Sequence, residues 1–269
     1  MEHIPKRTLY SSPFLNYSIS FFIGLLAGIF GGLVGLGGGV IMIPLLVAII
    51  KLNQHTAHGT SLLVLVFTGI SGAIAYGMHG SVDVIASLLL AATAVVTARA
   101  GAHFAHSLPE WKLKRSFGCF LVFVSILLLS KPYLPPIHAA EAGFLKVMVL
   151  LLTGVCTGFL SGMMGVGGGT IMVPVMVLIA GFSQHTAQGS SLLAMIPTGG
   201  VGAYTHWRLG NVRKNLLLGL IPGIFIGSYL GGTLAHVFSD AVLRNIFAAV
   251  LIWTGVRYIV TKRPLLTAE

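Results

Sequence analysis

Three kinds of residue recur at matching positions in this sequence and together have the chemistry to hold a small anion. Glycines cluster in GLGGG, as Gly35, Gly37, Gly38 and Gly39, and again in GVGGG, as Gly165, Gly167, Gly168 and Gly169. Pro44 follows the first cluster and Pro174 the second. Hydroxyls come next, Thr60 and Ser61 in one place and Ser190 and Ser191 in the other, with His55 and His185 just ahead of them in the motif QHTA. Glycine inside a helix costs about 0.8–1 kcal/mol relative to alanine, so each cluster reads as a break in a helix. A break frees N–H groups at the start of the next helical piece, where the dipole also favours negative charge. Glycine lets the backbone approach a ligand and adopt the dihedrals of the break. Neutral hydroxyls can bind anion oxygens and still release them. Histidine titrates near neutrality and could couple anion movement to protons.

Each group also has a plain structural reading. Small residues let membrane helices pack closely, and the four-residue spacing of Gly24, Gly28 and Gly32 points to that use. Hydroxyls can bond back to their own helix, and His55 and His185 can cap or lie at an interface. For the hydroxyls and histidines both readings stand open. The triple-glycine clusters followed by proline favour a functional break.

Several chemistries are disfavoured. The six carboxylates are Glu2, Asp83, Glu110, Glu141, Asp240 and Glu269, all near loops or termini. None lies mid-span, where ionisable groups mark cation and proton pathways. There is no HExxH pair, no Ser–His–carboxylate set at one depth, and no GxGxxG or GxxxxGK[ST] loop. Cys119 and Cys156 form no CxxC signature. No catalytic residue, metal or cofactor is expected, and the protein is not read as an enzyme.

The elements that position these residues belong to a bilayer. Of 269 residues 55% are hydrophobic and 8% charged, with a mean hydropathy of +0.94. About 20 apolar residues suffice for one crossing, and such runs fall at 18–50, 59–78, 84–104, 116–134, 144–180, 189–207, 216–237 and 243–261. The net charge of +10 sits mainly between these runs, so it follows the positive-inside rule and does not point to nucleic acid. The apolar stretch after Lys6 and Arg7 runs past the ~7–15 residues of a cleavable signal peptide.

A shift of 130 residues superposes the first four runs on the last four, with 26 identities in the 59 positions from Gly24 to Val82. The expected organisation is an N-terminal cytoplasmic tail 1–17, a first repeat 18–134, a loop 135–143, a second repeat 144–261 and a cytoplasmic tail 262–269. Asn53 and Ser183 are N-cap types at the start of the second segment of each half. The first run of each half exceeds 30 residues, so it is either a tilted helix unwound in the middle or a re-entrant hairpin. With eight crossings the Lys and Arg divide 10 inside to 6 outside, whereas with re-entrant first runs they divide 13 to 3. That favours inverted halves.

With both repeats in view the chain resembles the TauE/SafE family of sulfite exporter-like membrane transporters. The resemblance rests on GxGGGxxxxP (Gly35–Pro44 and Gly165–Pro174), on AxG[TS]SLL (Ala57–Leu63 and Ala187–Leu193), and on Gly101 and Gly231. It implies a multi-pass protein of the cytoplasmic (inner) membrane that moves sulfite, sulfoacetate or a related organosulfur anion, commonly outwards. It also implies a site at the two glycine breaks with their nearby hydroxyls. The halves differ where His58 matches Gln188 and where Phe67 matches Pro197, which can kink its helix. The expectation is therefore an all-α polytopic protein acting as a secondary anion transporter by alternating access. Its partners are a small anionic substrate and the lipid bilayer, with no nucleic acid, and a homo-oligomer is left open. A passive anion channel and a non-transporting membrane assembly factor are the alternatives.

Overall fold

The computed structural model describes residues 13–104, 110–133, 143–164 and 167–260. Most of both tails and of the inter-repeat loop lies outside the described residues, as does Gly165. Among the described residues there are ten α-helices and no strand. They are α1 (Pro13–Val34), α2 (Gly39–Ala48), α3 (Gln54–Met78), α4 (Val84–Phe104), α5 (Glu110–Ser130), α6 (Gly143–Met164), α7 (Gly169–Leu178), α8 (Gln184–Arg208), α9 (Lys214–Ala235) and α10 (Asp240–Ile259). Each of the last five begins 130 residues after its counterpart among the first five. Asn53 and Ser183 cap α3 and α8 as their types predict, accepting the backbone N–H of Thr56 at 2.8 Å and of Thr186 at 3.1 Å.

Among the described residues six helices are long and apolar enough to cross a bilayer: α1, α3, α4, α6, α9 and α10. Within the described residues the apolar stretch that begins in α5 is Phe117–Tyr133, and α8 carries Gln184, Gln188, Ser190, Ser191, Thr198, Thr205 and His206 buried against other helices.

Close backbone contact between the two halves organises the bundle. On α1, Gly24 faces Leu220 and Ile224, and Gly28 faces Ile224 and Ser228. In return Gly223 and Gly227 of α9 face Phe21, Leu25 and Ile29. The contacts advance in the same sense along both helices, so α1 and α9 run parallel. A Cβ on Gly28 would lie 2.6 Å from the Ile224 carbonyl oxygen, so only glycine fits there. Gly154, Gly158 and Gly162 of α6 meet Leu90, Ala94 and Ala98 of α4 in the same parallel way. Between apolar helices in lipid there is no hydrophobic driving force, so such stripes of small residues supply the packing.

The central pair, α3 and α8, runs antiparallel, with Gly69 on Leu192 and Gly199 on Leu62. After Val34 the chain reverses: Gly31 touches Gly38, Gly38 lies against the Ala27 carbonyl, and α2 returns along α1. In the second half the ammonium of Lys146, in the first turn of α6, lies 4.0 Å from the ring centroid of Phe182, just past the end of α7. α7 therefore returns along α6.

Candidate functional site

The two glycine-rich breaks meet at the middle of the bundle. Gly35, Gly37 and Gly38 have φ of 71°, 82° and 78°, and Gly167 has 88°, a region that L side chains rarely adopt. Gly37 and Gly167 both lie against Leu65 and Met195. Those two residues are each twelfth in a 25-residue helix, which sets Gly37 and Gly167 at half-height. Gly169 packs on the Gly35 carbonyl and on Leu36, and Gly167 packs on the Leu36 carbonyl. From this point α2 runs to the end where α3 begins and α7 to the opposite end where α8 begins. Two helix N-termini, each the positive end of its dipole, thus converge from opposite directions. Gly39, Gly168 and Gly169 stand in these first turns. The space beside the first break, among Gly31, Leu36, Gly38 and Val250, is about 10 Å³, at the lower limit for a single water molecule.

The four hydroxyl candidates are buried on the faces of α3 and α8. Thr60 Oγ1 accepts the backbone N–H of Arg213 at 3.0 Å, and Ser190 Oγ accepts that of Asp83 at 2.8 Å. Each thereby ties a central helix to the loop before α9 or α4. Ser191 reaches a break directly: its Oγ donates towards the Gly35 carbonyl at 2.8 Å and lies 2.9 Å from the Gln188 carbonyl. Ser61 is fully buried beside Thr60.

The two histidine candidates are placed differently. His55 is exposed in the first turn of α3. His185, in the first turn of α8, belongs to a cluster of three histidines where α3, α8, α9 and α10 meet. Its Nδ1 contacts Asp240 Oδ1 and its Nε2 lies 3.1 Å from the Ala235 carbonyl. Both neighbours are acceptors, so both bonds form when each ring nitrogen carries a proton. His236 places Nδ1 2.8 Å from the Gly232 carbonyl and Nε2 3.2 Å from Ser81 Oγ. Its ring stacks on His79, lies 5.0 Å from His185, and meets Tyr76 edge-on at 4.8 Å. Burial lowers the His236 pKa, with His79 and His185 adding to the effect and the bond to Gly232 opposing it.

Tyr76 and Gln188 join the break to this cluster, and neither stands out by motif. The Tyr76 hydroxyl lies 2.8 Å from Gln188 Oε1, 3.1 Å from the Gly32 carbonyl and 3.3 Å from the Leu33 carbonyl, at the end of α1. Both residues are fully buried. The available signal was mismatch within the repeat: His206 and His58 occupy the positions equivalent to Tyr76 and Gln188.

A multi-pass helical membrane protein with paired broken helices at its centre is the class that this architecture defines. Residues 20–258 match the family described as sulfite exporter TauE/SafE, and the chain belongs to that family of membrane transporters. It is 29% identical over 267 residues to "Probable membrane transporter protein YunE" of Bacillus subtilis, covering 91% of this chain and 98% of the relative. A second Bacillus subtilis protein, "Probable membrane transporter protein YdhB", is 27% identical over 82% of this chain and 91% of its own. A "Probable membrane transporter protein" of Methanocaldococcus jannaschii is 26% identical, over 85% and 90%. No solved structure matches the chain.

Proposed function

We propose that the protein is a secondary transporter of a small anion, sulfite or an organosulfonate such as sulfoacetate, that exports it across the cytoplasmic membrane by alternating access. The observation that carries this reading is the convergence of the α2 and α7 N-termini at half-height, where Gly35 and Leu36 touch Gly167 and Gly169. Two positive helix ends facing each other, with no carboxylate side chain between them among the described residues, favour an anion over a cation. In this reading α1–α2 and α6–α7 are re-entrant hairpins entering from opposite faces of an inverted repeat, and irregular backbone at that depth is tolerated because protein surrounds it. The described Lys and Arg support the orientation. Lys51, Arg99, Arg115, Arg208, Arg213, Lys214 and Arg257 lie towards the end where α3 begins, against Lys131, Lys146 and Arg244 at the other. The end rich in Lys and Arg is the cytoplasmic one.

Gly35, Gly37–Gly39 and Gly167–Gly169 form the cradle, Thr60, Ser61, Ser190 and Ser191 lie within its walls, and His55 and His185 serve as proton-linked gates at opposite ends. The test is uptake of radiolabelled sulfite into proteoliposomes, with and without a pH gradient, competed by sulfate, thiosulfate and sulfoacetate. Saturable, gradient-dependent uptake with counterflow is expected. Flux that follows only the electrochemical gradient would make the protein a channel, and no flux of any anion in the panel would overturn the transport reading.

A further inference from the structure

The wall of the first break contains a buried amide with an unused hydrogen-bonding atom. Gln188 sits in the second turn of α8, fully enclosed, with its Cα, Cβ and Cγ packed so closely on Gly35 that a Cβ there would lie 2.7–2.9 Å from them. Its Oε1 is held by the Tyr76 hydroxyl, and its Nε2 has no hydrogen-bond partner among the described residues. The Tyr76 proton can serve one acceptor at a time, and Gln188 Oε1 is nearer than the carbonyls of Gly32 and Leu33. Leaving such a donor unmade inside protein is destabilising, a cost tolerable where a ligand completes the bond.

Resting on the anion-transport reading, we propose that the Gln188 amide is a substrate-coordinating group of the first break, oriented by Tyr76, that donates N–H to an oxygen of a sulfite or sulfonate group and sets the selectivity of that end of the pathway. A neutral amide suits a carrier because it recognises an oxyanion without the long-lived ion pair that Arg or Lys would form. The equivalent positions in the other half carry His58 and His206. The two approaches to the centre are therefore chemically different, an amide and a phenol on one side and two imidazoles on the other.

The experiment uses the full chain, both in detergent and in proteoliposomes, with sulfite, sulfate, thiosulfate and sulfoacetate as probes. Gln188→Met keeps the side-chain length and removes the amide, while Tyr76 can still donate to the Gly32 carbonyl. The expected result is an anion-free unfolding temperature equal to or above wild type, with apparent sulfite affinity weakened about tenfold or more, the range for hydrogen bonds to charged groups. A purely structural amide would give the reverse, a lower unfolding temperature with unchanged affinity, and would overturn the proposal. Tyr76→Phe releases the amide and should change the competitor order as well as KM. Gln188→His, which installs the residue of the other half, should recover part of the affinity and make it pH-dependent. Sulfite-dependent stabilisation of wild type without uptake would sink transport and leave the coordinating role intact. Uptake that Gln188→Met and Gln188→His leave unchanged would sink the coordinating role alone. A wild-type protein neither stabilised by nor transporting any of the four anions would overturn both.

Discussion

The imidazole of His79 lies flat on that of His236, with ring centroids 4.0 Å apart and planes 15° from parallel. His79 ends α3 and His236 ends α9, so the stack joins helices from the two halves, while His185 brings in α8 and Asp240 brings in α10. A proton added to this group meets neighbours already able to carry one.

The consequence is a pH-dependent stability with a defined sign. Burial holds His236 below the ordinary histidine value of 6.5, with His79 and His185 acting in the same direction, Gly232 opposing, and Tyr76, Ser81 and Asp240 also facing the cluster. The unfolded chain therefore binds this proton more readily than the folded one. The stability from His236 is fully present above the ordinary 6.5 and is lost as pH falls through the lowered folded value. Unfolding temperatures measured across that window should fall on acidification, and His236→Gln should flatten the slope. An unchanged slope would remove His236 as the cause.

Asp240→Asn should separate the start of α8 from the start of α10. The pair is partly exposed, with side-chain exposures of 17% for His185 and 47% for Asp240. The loss in stability should therefore stay near the ~0.2–1 kcal/mol of surface pairs. The larger effect is expected on the pH dependence of flux, and an unaltered pH–flux curve would exclude His185 as a gate.

Gly38 and Gly168 occupy matching positions but should respond differently to alanine. At Gly38 a side chain would adopt φ 78° and come 2.5 Å from the Ala27 carbonyl oxygen. Left-handed backbone alone costs about 1–2 kcal/mol. At Gly168 φ is −81°, and the nearest atoms are the Thr157 Cγ2 at 2.6 Å and the Met172 side chain. Gly38→Ala should lower the unfolding temperature more than Gly168→Ala. Lost transport in a Gly38 variant consequently says little about anion binding unless folding is measured beside it.

Glycines elsewhere sort by their surroundings. Gly77 in α3 and Gly200 in α8 have nothing within 4 Å of an added Cβ, so alanine at either should stabilise by about 0.5–1 kcal/mol. Gly223 would press a Cβ into the Phe21 carbonyl, and Gly223→Ala should destabilise by about 1–3 kcal/mol. Equal melting temperatures for the three variants would contradict the α1–α9 packing.

Thr60→Val and Ser190→Ala remove the acceptors for the Arg213 and Asp83 N–H groups and should each cost about 1 kcal/mol. If they act only as ties, KM for sulfite will not change. A rise in KM with unaltered stability would place them on the substrate path.

What could be read from the sequence was whatever repeats along the chain. Helix starts at Asn53 and Ser183 and the packing stripe Gly24–Gly28–Gly32 depend on local spacing, and the structure uses them accordingly. The run 189–207 reads as apolar along the chain, whereas the burial of the polar residues of α8 at the centre, against α3 and α4, is a tertiary fact. Tyr76, Gln188, His79 and Asp240 could not be assembled from spacing, because Tyr76 and Gln188 lie 112 positions apart and meet only when α3 and α8 cross. Ser191 was singled out as an anion donor, and its contact with the Gly35 carbonyl spans 156 positions. Single-residue chemistry could be proposed from types, whereas partners needed the fold.

The parallel seating of α1 on α9 also bears on synthesis. Gly24 and Leu220, which touch in the finished protein, are separated by 196 residues of chain. At about 5–20 residues per second, α1 waits on the order of 10–40 s after leaving the ribosome before its partner exists. Throughout that interval its glycine face stands against lipid or an insertion factor, and neither half, expressed alone, contains the surface that its own first helix is built to meet.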